Sequence, residues 1–238
     1  MLNYPLGLIH KIFLFLFLLF NLSISFAWED ERELAMHMTP NLQRGKEIYQ
    51  ICVTCHNQTG WADGSDISRR QQPGFFPQLA GQHTNVIIKQ LVDIRAGNRD
   101  NPMMYPFTLE KYLPGPQGIA DVSGYIATLP VNPDKNNIGN GMDLPLGKDL
   151  YRTNCKNCHG DNGEGNNKEF YPRIQGQHFN YLLRQFIWIR DGRRRNSNKK
   201  MTHQIERFTF REMTAVIDYV SRLSVNTSNS KKILPQKK

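Results

Sequence analysis

The sequence predicts an all-α protein made of two tandem helical domains related by internal duplication. Three observations carry this. All four cysteines fall in two copies of one five-residue pattern, Cys52-Val53-Thr54-Cys55-His56 and Cys155-Lys156-Asn157-Cys158-His159. The segment Leu79–Arg99 returns 95 residues later as Ile174–Arg194, each copy headed by a Gly-Gln-His triplet (Gly81-Gln82-His83 and Gly176-Gln177-His178). Apolar residues recur at helical intervals, and strand signals are nearly absent.

Residues 1–27 precede the fold. Lys11, the apolar run Ile12–Phe20 and the small residues of Ser25-Phe26-Ala27 read as a secretory leader cleaved after Ala27, so that the mature chain begins at Trp28. The run is short for a membrane span of about 20 residues and is diluted by Asn21, Ser23 and Ser25, which argues against a retained anchor. Export to the periplasm follows for a Gram-negative source.

Thr39-Pro40 reads as N-cap and N1 of the first helix, which carries Gly45-Lys46-x-x-Tyr49 up to the first cysteine motif. Gly147-Lys148-x-x-Tyr151 leads to the second in the same way. After each motif a loop runs to a proline, Pro77 behind Phe75-Phe76 and Pro172 behind Phe170-Tyr171. The repeated segments are predicted helices: Val86, Ile87, Gln90, Leu91 and Ile94 share a face, as do Leu182, Leu183, Phe186, Ile187 and Ile189. Gly97 and Gly192 suit their ends. A polar methionine-bearing loop follows each, then a final amphipathic helix over about 118–129 and 210–223, with Tyr125 and Tyr219 at the centres. Pro130–Met142 is rich in Pro, Asn and Gly and reads as a linker. The division is therefore leader 1–27, first domain 28–130, linker 131–142, second domain 143–225 and a basic, disordered tail 226–238. Lys231, Lys232, Lys237 and Lys238 suit that tail to peripheral contact with anionic lipid headgroups.

C-x-x-C-H is the attachment signature of c-type haem. Thiols one helical turn apart form thioethers with the two vinyl groups of one porphyrin, and the following histidine offers its imidazole to the iron. Cys52 and Cys55 would tether one haem, Cys155 and Cys158 a second, with His56 and His159 as axial ligands. A structural zinc site would place its second pair roughly 15–20 residues after the first, not 103. Zinc and disulfides both leave the two histidines unexplained, and a thioredoxin-like pair needs a βαβ context that is absent. A domain of about 100 residues has a small core, so a buried porphyrin would complete each one.

The other axial position is open to methionine, a second histidine, water or nothing. Met201 lies 18 residues before Tyr219. Counting back from Tyr125, about three extra residues in Tyr112–Gln117 bring Met104 closest to the same register, with Met103 its local rival. Met104 and Met201 are therefore the expected ligands. Met213 reads as core packing, and Met36 and Met38 precede the first helix without counterparts. His83 and His178 suit structural or haem-edge hydrogen bonding better than ligation, and His203 lacks a partner in the first half. A thioether opposite imidazole raises the potential and fills the coordination sphere, as in electron-transfer cytochromes.

With both haem motifs, the Gly-Gln-His helices and the methionine segments in hand, the chain resembles the cytochrome c4 family of dihaem class I cytochromes c. The resemblance runs from about Leu42 to Leu223 and is most specific at the two C-x-x-C-H motifs, Pro77–Gln82, Pro172–Gln177 and Arg95–Arg99. It implies two class I cytochrome c domains facing each other across a pseudo-twofold interface. Cys52, Cys55, His56 and Met104 would serve the first haem; Cys155, Cys158, His159 and Met201 the second.

The function expected is a diffusible, non-catalytic carrier of single electrons. Acidic redox partners would be a terminal oxidase or an electron-donating dehydrogenase or cytochrome complex. The formal charge is +9, and Arg190, Arg193, Arg194, Arg195, Lys199 and Lys200 crowd the approach to Met201, where they would steer such a partner. Nucleic acid does not suit an exported haem protein. The competing readings are a peroxidase-like dihaem enzyme and the haem subunit of a flavoprotein that oxidises sulfide.

Overall fold

The chain folds as two helical lobes, each wrapped about its own apolar cluster. The computed structural model describes residues 31–63, 74–132 and 137–224, with Lys11 besides. The leader with its cleavage site, most of the longer first loop, and the basic tail lie outside the described residues. Among the described residues no β-strand occurs, only an isolated bridge between Asn166 and Tyr171, and no helix is long and apolar enough to cross a membrane.

The first lobe comprises α1 (31–37), α2 (Leu42–Tyr49), α3 (Val53–His56), α4 (Thr84–Arg95), α5 (Tyr105–Thr108) and α6 (Gly115–Thr128). The second comprises α7 (Leu144–Asn154), α8 (Lys156–His159), α9 (Phe179–Arg190), α10 (Lys199–Ile205) and α11 (Phe210–Ser221). In each lobe the helix ahead of the cysteine motif crosses the terminal helix, α2 on α6 and α7 on α11. The crossing is close because Gly45 and Gly147 lie against the backbones of Asp121 and Ala215. Beside it the rings of Tyr49 and Tyr125 sit 5.5 Å apart, and those of Tyr151 and Tyr219 5.7 Å apart. Ile88, Ile119, Val122 and Ile126 centre one core; Phe186, Met213, Val216 and Val220 centre the other.

Three local expectations are corrected. The cap of α2 is Asn41, whose side chain accepts the Arg44 amide. Thr39-Pro40 stops short of it because Pro40 packs instead against Gly124 of α6. A helix precedes α2, so Met36 lies in α1 and packs on the first core. Met201 sits on the short helix α10, where Asn198 caps the Lys200 amide, rather than in a loop. The long helices end as predicted: Gly97 and Gly192 take φ of 72° and 73° just past them, a conformation that favours glycine.

Candidate functional site

Each cysteine motif forms a single turn. The amides of Cys55 and His56 both donate to the Cys52 carbonyl, at 3.2 and 2.9 Å, and those of Cys158 and His159 donate to Cys155 at the same distances. The turn is tied to the preceding helix by a tyrosine hydroxyl: Tyr49 donates to the Asn57 carbonyl at 2.9 Å, Tyr151 to that of Gly160 at 2.7 Å. The four thiols are free of disulfides. In the bare polypeptide, burial, aided by the neighbouring thiol, pushes Cys52 and Cys155 up to about 12. Thioether formation removes that titration.

The two histidines are held alike. His56 Nδ1 lies 3.0 Å from the Pro77 carbonyl oxygen and His159 Nδ1 3.0 Å from that of Pro172, so Nδ1–H is the donor in both. Nε2 of each ring makes no hydrogen bond among the described residues. Burial pushes His56 down to about 4 and holds His159 below the usual imidazole value, with the proline carbonyl opposing in both cases. Phe76 and Tyr171, the matched aromatics ahead of the prolines, pack 6.0 and 6.4 Å from these rings.

One continuous cavity of about 1120 Å³ is lined by His56, His159, Cys52, Cys155, Cys158, Met103, Met104 and Met201. Met104 is half-buried, whereas Met103 is 45% exposed. Met201 packs at the edge of the second core. Met213 is fully buried in that core. His203 also reaches the cavity but is exposed and pairs with Glu206 at 3.4 Å.

His83 and His178 do not line the cavity. Their Nε2 atoms bond across the lobes, His83 to the Glu164 carbonyl at 2.8 Å and His178 to the Trp61 carbonyl at 2.9 Å. Beside them lies a feature that sequence reasoning missed. Gln82 Oε1 accepts from the Arg173 amide and Gln82 Nε2 donates to the Arg173 carbonyl, both at 2.9 Å. Gln177 does the same to Gln78, at 2.8 and 2.9 Å. The repeated Gly-Gln-His triplet was the available signal, but not the partner. A second pseudo-symmetric cluster joins α4 and α9. Arg99 and Arg194 each donate to both Gln90 Oε1 and Gln185 Oε1, at 2.9–3.2 Å.

That cluster revises the basic rim. Arg194 faces inward, and burial, then Arg99, brings it down to about 10. Arg195 pairs with Asp100 at 2.7 Å and Arg190 with Asp191 at 2.8 Å. Arg193, Lys199 and Lys200 remain as exposed cations without an ion pair among the described residues.

These donors fit haem. Each lobe offers two free thiols one turn apart, an imidazole with Nε2 unengaged, and a methionine at the same cavity. Apolar side chains line most of that cavity, and Arg99 and Arg194 offer charge for porphyrin carboxylates. Among the described residues no three His, Cys, Asp or Glu side chains converge to hold a metal ion.

Two such lobes define a c-type cytochrome with two covalently bound haems, an electron-transfer protein. The family model described as Cytochrome c matches residues 145–224. The chain is 30% identical over 190 residues to cytochrome c4 of Thiocapsa roseopersicina, covering 73% of this chain and 88% of that one. It belongs to the cytochrome c4 family. It is also 30% identical over 210 residues to the thiosulfate dehydrogenase electron acceptor of Stutzerimonas stutzeri, covering 80% and 91% of the two chains. Its fold matches that of reduced recombinant cytochrome c4 from Pseudomonas stutzeri with a TM-score of 0.66 and 24% identity, covering 78% of this chain and 100% of that one.

Proposed function

We propose that the chain is exported, loses residues 1–27, and works in the periplasm as a carrier of single electrons between respiratory proteins. In this reading the domains 28–130 and 143–225 are joined by 131–142, and each holds one haem. Cys52 and Cys55 would tether the first, and His56 and Met104 would ligate its iron; Cys155, Cys158, His159 and Met201 would serve the second. The carrying observation is that an imidazole oriented by a proline carbonyl and a methionine line the same cavity in each lobe. The half-burial of Met104 against the exposure of Met103 supports Met104. Bound haem supplies the one-electron couple. The chain's own part is to hold the imidazoles by Pro77 and Pro172, to exclude water with the apolar lining, and to offset porphyrin carboxylates with Arg99 and Arg194. A thioether and an imidazole together would fill the coordination of a bound haem iron and leave no position for a substrate.

The partners proposed are acidic redox proteins, a terminal oxidase as acceptor and a dehydrogenase or cytochrome complex as donor. A relative named thiosulfate dehydrogenase electron acceptor supports a dehydrogenase as donor. The exposed Arg193, Lys199 and Lys200 support an acidic docking face. The test is the weak far-red absorption of thioether-ligated ferric haem. It should count two haems, halve in Met104→Ala and in Met201→Ala, and persist in Met103→Ala. A high-spin iron that takes up carbon monoxide and turns over peroxide would replace the carrier with an enzyme.

A further inference from the structure

Pro172 and Arg173 share one peptide group, and its two ends point to different lobes. The carbonyl end accepts from His159 Nδ1 at 3.0 Å. The N–H end donates to Gln82 Oε1 of the other lobe at 2.9 Å. The mirror arrangement holds at Pro77 and Gln78: the carbonyl accepts from His56 Nδ1 at 3.0 Å, and the N–H donates to Gln177 Oε1 at 2.8 Å. We propose that each lobe tunes the haem of the other through this relay, with Gln82 and Gln177 acting as positioning residues on the opposite axial histidine.

The physical basis is amide resonance. When the amide N–H donates to an acceptor, the density left on nitrogen shifts by resonance toward the carbonyl oxygen of the same planar group. Hydrogen bonds in series polarise one another in this way, most strongly where the local dielectric is low. Gln78 and Gln177 are each 8% exposed, so that copy of the relay lies largely away from water, while Gln82 and Arg173 of the other are half-buried. A more negative carbonyl draws harder on the imidazole Nδ1–H and makes the ring a more basic ligand. A more basic imidazole stabilises ferric iron and lowers the potential.

The orientation of both glutamines is determined by their partners. Oε1 of Gln82 also accepts the His83 amide at 3.0 Å, and Oε1 of Gln177 the His178 amide at 3.0 Å. Nε2 of each donates to a carbonyl of the other lobe, Arg173 and Gln78 respectively, at 2.9 Å. Two N–H donors converge on one atom and a carbonyl faces the other, so a flipped amide would lose all three bonds. The oxygen is thus the atom presented to the relay in both copies.

The inference rests on His56 and His159 holding the irons. Its test uses the holoprotein and two readouts: the separate potentials from a spectroelectrochemical titration, and the histidine Nδ1–H proton signals of the reduced, diamagnetic state. Gln82→Met should raise the potential of the second haem and move the His159 Nδ1–H signal upfield, leaving the first haem in place. Gln177→Met should do the converse. Gln82→Glu, which keeps the accepting oxygen, should keep the His159 signal downfield. His83→Phe removes a neighbouring cross-lobe bond outside the relay and should move neither signal. A Gln82→Met shift confined to its own haem, equal shifts at both, or a His83→Phe variant that reproduces Gln82→Met would overturn the proposal. Loss of axial ligation itself would overturn it too, and would show separately: the unmodified protein would then lack the ring-current-shifted signals of iron-bound His56 and His159.

Discussion

Gly45 and Gly147 occupy the close helix crossings of the two lobes. A Cβ at Gly45 would lie 2.1 Å from the Asp121 carbonyl oxygen, and one at Gly147 would lie 2.1 Å from that of Ala215. Alanine ordinarily favours a helix over glycine by roughly 1 kcal/mol. Here the obstacle is backbone rather than a movable side chain, and overpacking of that kind costs about 1–3 kcal/mol or more. Gly45→Ala and Gly147→Ala should therefore each lower the denaturation midpoint, and an unchanged midpoint would show that the helices can part. The latch histidines carry a pH dependence of definite sign. Burial holds His83 and His178 below the ordinary imidazole value, against the carbonyls of Glu164 and Trp61 that accept from them. Asp63 faces His178 and favours its charged form, while Arg173 faces His83 and disfavours it. The unfolded chain takes up protons below about pH 6.5, which the folded latch refuses. Stability is full above that pH and declines as the solution is acidified toward the folded values. Urea midpoints measured across that range should fall on acidification, and His178→Gln should flatten the slope.

Among the elements, α10 and the stretch ahead of it set the charge that a partner meets. Arg193, Lys199 and Lys200 are exposed, whereas Arg194 is committed to the lobe interface and Arg195 to Asp100. Steering by such a rim raises association rates by roughly ten-fold or more at low salt. Neutralising Arg193, Lys199 and Lys200 together should slow electron transfer to an acidic partner several-fold and weaken its salt dependence. Neutralising Arg195 should do less, since its charge is already offset. Stopped-flow rates across ionic strength decide between them, and equal effects would place the docking face elsewhere. The first lobe presents a different face. Around α5 it leaves Met103, Tyr105, Phe107, Leu109 and Tyr112 exposed, while Leu113 closes the core beneath. The extra residues read into Tyr112–Gln117 made Met103 and Met104 hard to separate from sequence spacing. Met201, by contrast, is positioned by a helix with its own cap.

For the molecule as a whole, the polar groups of the two lobes satisfy one another across their interface. Gln90 and Gln185 each receive both Arg99 and Arg194, and Lys89, Asn196 and Asp93 close the cluster beside them. Gln185→Leu would leave two inward guanidiniums short of an acceptor, a loss of about 1–3 kcal/mol. Calorimetry of the holoprotein should then show a single transition separating into two. A transition that stays single and unshifted would mean that the interface is held elsewhere. The helix ends are shared as well. Asn167 of the second lobe accepts the Asn85 amide at the start of α4. Asn137, from the segment read as a linker, accepts the Asn180 amide at the start of α9. That segment therefore does more than connect.

The number of haems, the duplication and the helical class were legible from residue order, and so were the cysteines and histidines proposed to hold the haems. Those features depend on neighbours a few positions apart, whose spacing is dictated by the helical turn and the size of a porphyrin. The long helices also followed, whereas α1, the true cap at Asn41 and the helix under Met201 did not; at the last two, packing of Pro40 and local capping by Asn198 outweighed the simpler pattern. Only the tertiary structure decided what crosses between the lobes. Gln82 and Arg173 stand 91 positions apart, and His178 and Trp61 117 apart. No periodicity links such pairs. They meet because two apolar-cored lobes dock face to face, and each buried polar group left at that face must find its partner on the other side.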